Sequence, residues 1–150
     1  MSLNEEVELL RNIPLFAKLE PSKLKLLAFT SERITYEAGQ VLFNQGDVGD
    51  AAYIIVEGAA SVLVDTPDGP LEVASLGRNE FVGEIAILCD VPRTATVKAA
   101  ARTVTLRITK DLFFRLVAEF PEMSVEMMRE LAARLEQTTK QLREAMAKSS

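Results

Sequence analysis

FVGEIAILCDVPRTATVK, residues 81–98, joins an apolar strand end to a short turn and then to a new strand. Phe81 and Val82 run into Gly83 and Glu84. A short apolar turn, Ile85 to Cys89, follows, and Asp90, Val91 and Pro92 lead to a lone Arg93. The alternating run Thr94-Ala95-Thr96-Val97 predicts a strand. These residues suit an anion cradle. Gly83 lets a ligand approach the backbone closely. The turn after it presents backbone N–H groups, the device by which helix starts hold phosphate. Glu84 is an acceptor for sugar hydroxyls. Arg93 is a planar, always-charged fork suited to a phosphate diester. The same residues also suit a plain turn and a surface arginine, and local chemistry leaves both readings open.

Composition narrows the classes. The 150 residues suit one domain with a real core, and 48% hydrophobic with 26% charged residues is ordinary for a globular chain. No apolar run approaches the roughly 20 residues of a membrane span. The acidic start MSLNEEVELL lacks the basic opening of a secretory signal, so a cytoplasmic protein without membrane contact is expected. Cys89 is the single cysteine, which excludes an internal disulfide; in its apolar turn it reads as a packing residue. The net charge of −5 argues against a nucleic-acid surface. The chain has no histidine, which removes the commonest general base and metal ligand, so neither an enzyme nor a metal site is expected.

Outward from the opening stretch, the pattern falls into three parts. Residues 1–30 read as a helical lead-in. Residues 4–12 carry Val7, Leu9 and Leu10, Pro14 breaks that helix, and Pro21 opens another with Leu24, Leu27 and Ala28 on one face. Residues 31–109 read as short strands: Glu32–Tyr36, Gln40–Asn44, Ala51–Val56, Ala60–Asp65, Leu71–Leu76, Thr94–Ala99 and Thr103–Thr109. Turn residues separate them, most clearly Thr66-Pro67-Asp68-Gly69. That spacing predicts a sandwich or small barrel. Residues 110–150 turn helical again. One helix runs from Lys110 to Phe120, and after Pro121 a long one runs from Glu122 to about Lys148. Met128, Leu131, Leu135, Thr138, Leu142 and Ala145 step by three and four along it, a short heptad seam.

Gly83-Glu84-Ile85-Ala86 followed by Pro92-Arg93-Thr94-Ala95-Thr96-Val97 resembles the phosphate-binding cassette of the cyclic nucleotide-binding domain family. The run YEAGQVLFNQGDVGDAAYIIVEGAASV, from Tyr36, is similar to the barrel signature of that family. The resemblance implies a mainly β fold: a jelly-roll β-barrel with N-terminal helices, a short cassette helix and a long C-terminal helix.

It also implies a ligand, a 3′,5′-cyclic nucleotide, and no other cofactor. Arg93 would bond the cyclic phosphate, with backbone N–H groups near Ala86 and Ala95, in the frame set by Gly83 and Ile85. Glu84 would accept from the ribose 2′-hydroxyl. Val62 and Val73 would contact the base. Asp50, by its place in the signature, would steady Arg93. Along the last helix, RLEQTTKQL is similar to the dimerisation helix of the activator branch of the family. That likeness puts Thr138 and Thr139 against the base, one from each subunit of a homodimer, and offers Arg134 as a partner of Glu84; Glu130 is a competing partner on the same helix. A hydroxyl at Thr94 goes with cyclic GMP in part of the family, yet activator-like members carry one and bind cyclic AMP, so cyclic AMP is favoured over cyclic GMP.

Charges in the last helix balance, Arg129, Arg134, Lys140, Arg143 and Lys148 against Glu122, Glu126, Glu130, Glu136 and Glu144, so no phosphate-tracking patch is expected there. A stand-alone sensor without a DNA-binding region is the expectation, possible effector proteins unidentified. The other reading is a barrel that has lost its ligand and serves as an interaction or dimerisation module.

Overall fold

Period-two alternation builds the centre of the molecule. The computed structural model describes residues 3–13, 16–17 and 19–149. Two helices come first, α1 (Leu3–Arg11) and α2 (Pro21–Thr30). The strands β1 (Glu32–Tyr36), β2 (Val41–Phe43), β3 (Ala51–Glu57), β4 (Ala60–Thr66), β5 (Gly69–Leu76) and β6 (Phe81–Val82) follow. Then come α3 (Glu84–Cys89), β7 (Thr96–Ala99), β8 (Thr103–Thr109), α4 (Lys110–Glu119) and α5 (Pro121–Ser149). The strands form two four-stranded antiparallel sheets, ordered β1-β8-β3-β6 and β2-β7-β4-β5. The sequence expectation of a β-barrel flanked by helices is met.

Every residue of β3 from Ala51 to Val56 is buried, because its two faces meet two different cores. Ala52, Ile54 and Val56 pack with Val104, Leu106 and Ile108 of β8 against Leu10, Leu24, Leu27, Phe113, Leu116 and Met127 of the helices. Ala51, Tyr53 and Ile55 face the other way, toward Leu42, Ala60, Val97 and Ala99 between the sheets. The first sheet is thus a layer between helices and the second sheet. The second sheet has a wet outer side, and most of β5 is exposed.

Three local expectations change. The seventh strand starts at Thr96, so Thr94 and Ala95 lie outside the ladder, which begins at the Leu63–Thr96 pair. The preceding residues are held elsewhere: the Arg93 N–H donates to the Asp47 carbonyl and the Gly46 N–H to the Arg93 carbonyl. Cys89 is exposed, because the single buried face of α3 is taken by Ala86 and Ile87. The α5 seam splits into two faces. Met128, Leu135, Leu142 and Met146 lie 59 to 68% exposed along one stripe, while Leu131 packs on the helical core and Thr138 turns toward the barrel. The Pro14 break lies outside the described residues.

Candidate functional site

The backbone at Gly83 shapes the inner end of a cavity. Gly83 has φ +93°, a left-handed conformation that glycine adopts without strain. A Cβ there would sit 2.7 Å from Arg93 Nη1 and 3.2 Å from the Ala51 carbonyl oxygen. Gly49 is a second close approach, where a Cβ would run into the Ala86 side chain. These two glycines let α3 and the β2–β3 loop close around one arginine.

Arg93 is buried, at 3% exposure. Its Nη1 donates to the Gly83 carbonyl at 2.8 Å and its Nη2 to the Ala51 carbonyl at 2.7 Å. The guanidinium carbon lies 4.0 Å from the centroid of the Phe43 ring, a cation–π stack. Its Nε is buried and, among the described residues, has no hydrogen-bond partner. Burial lowers the Arg93 pKa, opposed by Tyr53, Asp50, Asp47 and Glu84, yet guanidinium stays protonated in proteins. A buried cation with a spare donor suits an anion.

Asp50 pairs with Arg93 as expected, but it is shared with a second arginine. Its carboxylate lies 3.9 Å from Arg93 Nη2 but 3.1 Å from Arg107 Nη2, and it is 67% exposed. Arg107 makes the shorter contact, and two backbone carbonyls accept the direct hydrogen bonds of Arg93.

Glu84 is the first residue of α3 and is 2% exposed. Burial raises its carboxyl, against its own backbone N–H and the nearby Arg134 and Arg93, which lower it. Arg134 of α5 reaches it: Nη1 donates to Oε1 at 3.0 Å, Nη2 donates to the Phe81 carbonyl at 2.6 Å, and the guanidinium lies 4.5 Å from the Phe81 ring centroid. Glu130, the competing partner, stands 4.0 Å from Arg134, so the cross-helix contact is the shorter one.

These groups line a cavity of about 570 Å³ between the second sheet, α3 and α5. Of the residues singled out in the sequence, Val62, Val73, Gly83, Glu84, Ala86, Arg93, Thr94, Ala95, Arg134 and Thr138 line it. Asp50 and Thr139 do not; the Thr139 hydroxyl donates to the Leu135 carbonyl. The Ile85 side chain lies outside what the structure describes. Sequence reading missed Phe43, Ser75, Glu80, Gln137 and Gln141, all in the lining. Gln137 and Gln141 carried a legible signal, since they stand three and seven residues beyond Arg134 and so share its helix face. Phe43 carried none, because its role depends on a chain reversal at Gly46. Among the described residues no acidic, histidine or cysteine cluster could hold a metal ion. No helix among them is long and apolar enough to cross a membrane.

Residues 33–120 match the cyclic nucleotide-binding domain. A lysophospholipase of Neurospora crassa is 32% identical over 119 residues, 79% of this chain and 8% of that protein. The regulatory subunit of a cAMP-dependent protein kinase from Blastocladiella emersonii is 33% identical over 115 residues, 76% of this chain and 28% of that one. The chain therefore spans under a third of either relative. Among solved structures, the catabolite activator protein of Thermus thermophilus superposes with a TM-score of 0.76 at 28% identity, covering 86% of this chain and 61% of that one.

Proposed function

The chain belongs to the cyclic nucleotide-binding domain family, and on that premise we propose that its cavity takes a 3′,5′-cyclic nucleotide, cyclic AMP in preference to cyclic GMP, as the input of a regulatory switch. The observation that carries the reading is Arg93: a buried guanidinium at the inner end of an open cavity, with its Nε unpartnered among the described residues. The cyclic phosphate supplies the missing acceptor and one negative charge. Backbone N–H groups near Ala86 and Ala95 take the remaining oxygens. Glu84 accepts from the ribose 2′-hydroxyl, which requires that it share its oxygens with Arg134. Val62 and Val73 form the apolar wall for the base, and Thr94 lies beside the phosphate end.

The α5 helix closes the base end and transmits binding. Its Arg134 contact to Glu84 and Phe81 supports this, because a ligand that touches Glu84 acts directly on what holds the helix. Selection of one helix position needs a ligand that prefers it, and a base buried by α5 supplies that preference. The exposed stripe Met128, Leu135, Leu142 and Met146 supports a homodimer through α5. In such a dimer Thr138 faces its own cavity and Thr139 the partner. The same stripe is what favours the second reading, a dimerisation module without ligand.

Calorimetric titration with cyclic AMP, cyclic GMP and 5′-AMP tests the proposal. Saturable binding of a cyclic nucleotide, with 5′-AMP far weaker, is the expected result. No heat and no thermal shift with either cyclic ligand would leave the interaction-module reading in its place.

A further inference from the structure

One face of β8 ends on a charge. Val104, Leu106 and Ile108 face the helical core, while Thr103 and Thr105, on the other face of the strand, are fully buried. Arg107 continues that second row. Sheet pairing sets it between Glu32 of β1 and Tyr53 of β3, its two cross-strand neighbours. Its Nη1 lies 3.6 Å from Glu32, its Nη2 donates to Asp50 Oδ2 at 3.1 Å, and the Tyr53 hydroxyl interacts with the same guanidinium. Asp50 stands 3.9 Å from Arg93 Nη2. The Tyr53 ring lies 5.9 Å from that of Phe43, on which the Arg93 guanidinium stacks. Two arms therefore run from Arg107 to Arg93, one charged and one aromatic.

The charged arm has little freedom. The Asp50 carbonyl accepts from the Lys110 N–H at 2.9 Å, and the carbonyl of the next residue, Ala51, accepts from Arg93. The backbone is thus fixed, and the Asp50 carboxylate divides between two guanidinium groups. The other charges beside it are committed. Lys110 Nζ pairs with Asp90 at 3.5 Å, and the Asp47 carboxylate accepts from the Asn44 N–H at 3.0 Å. Arg107 has the closer hold on Asp50, so Asp50 stands off Arg93, whose direct bonds go to two neutral carbonyls. Without Arg107 the same carboxylate turns to Arg93. A carboxylate paired directly with that guanidinium competes with an incoming anion for it.

We propose that Arg107 is a positioning residue of the anion site: by holding Asp50 off Arg93, it keeps that guanidinium open to a phosphate. Its effect on ligand affinity rests on the cyclic nucleotide reading above; its effect on Arg93 does not. The test is a double-mutant cycle of Arg107→Met and Asp50→Asn, with Arg107→Lys as the variant that keeps the charge. One readout is calorimetric affinity for whichever of cyclic AMP and cyclic GMP binds tighter. The other, taken without nucleotide, is the Arg93 Nε–H resonance in nitrogen NMR. Arg107→Met should weaken binding about fivefold to tenfold, a coupling of the size found within one charge network, and should shift the resonance. In the Asp50→Asn background the same change should cost less than about twofold and leave the resonance in place. Arg107→Lys should bind within about twofold of wild type, because it still offsets the Asp50 charge. An equal loss in both backgrounds is what a merely structural arginine gives, and it would overturn the proposal. So would Arg107→Lys binding as weakly as Arg107→Met. If wild type takes up no cyclic nucleotide, the cyclic nucleotide reading falls and the resonance alone decides the positioning role. A shift that vanishes in Asp50→Asn then upholds that role, and no shift, or the same shift in both backgrounds, overturns it.

Discussion

Arg93 is held by the protein itself. Two carbonyls and the Phe43 ring fix the guanidinium, so in the proposed site a phosphate would meet an ordered cation and binding would cost little side-chain entropy. Arg93→Ala should weaken cyclic nucleotide binding by roughly 2–5 kcal/mol, about 30-fold to several-thousand-fold, with the fold retained. Titration checks it, and wild-type affinity in the variant would remove Arg93 from the site. Glu84 gives a pH signature. Burial raises its carboxyl above the ordinary 4.5, so the folded chain holds that proton more tightly than the unfolded one. Its contribution to stability is fully present below the ordinary carboxylate range and is lost as pH rises through the raised value. Glu84→Gln should remove that slope from a urea-midpoint series across weakly acidic pH; identical slopes in wild type and variant would contradict the sign. That Gly83, Glu84 and Arg93 would meet in one cavity was legible in the sequence because they lie within one short run. That Asp50 would also meet Arg107 was not legible, because Arg107 lies far along the chain, on β8, and only sheet pairing brings the two together.

Among the elements, α5 docks on the barrel through a polar contact as well as an apolar one. Arg134 ties it to Glu84 and to the Phe81 carbonyl, while Met127 and Leu131 anchor its first half in the helical core. Arg134→Ala leaves a buried carboxylate without its nearest cation. It should destabilise the chain by about 1–3 kcal/mol, less than a sealed ion pair because Glu84 can take up a proton. Hydrogen exchange should show faster opening of the turns beyond Arg134, with β3 and β8 unchanged; uniform acceleration would point to a general loss of stability instead. Leu135→Glu places a charge in the middle of the exposed apolar stripe and should abolish a dimer in analytical ultracentrifugation. A wild-type chain already monomeric at the same concentration would remove the dimer from the proposal. The long helix itself was legible from its uninterrupted run without Gly or Pro. Which residues face the barrel was not, because the three-and-four spacing continues around the helix and only the position of Arg134 on Glu84 sets its rotation.

For the molecule as a whole, ligand affinity and folding stability are linked. With cyclic nucleotide at about 100 times its dissociation constant, the folded state should gain about 2.7 kcal/mol, seen as a rise in Tm absent with 5′-AMP. An unchanged Tm under those conditions would contradict binding to the folded chain. The two-sheet architecture was legible because the alternation of short strands with Gly and Pro turns is written locally. That β3 would be buried on both faces followed only from the helices packed behind it. The shape of α5 has a mechanical reading. Arg134 is near the middle of a helix of 29 residues, and residues 142–147 beyond it are exposed. If the helix transmits binding as proposed, it would act as a lever pivoted at Arg134. A tilt of about 10° there carries Ala147, about 20 Å away, through roughly 3–4 Å. In the proposed switch, a displacement at Glu84 too small to disturb the barrel would be magnified at the far tip into a shift as large as a side-chain contact.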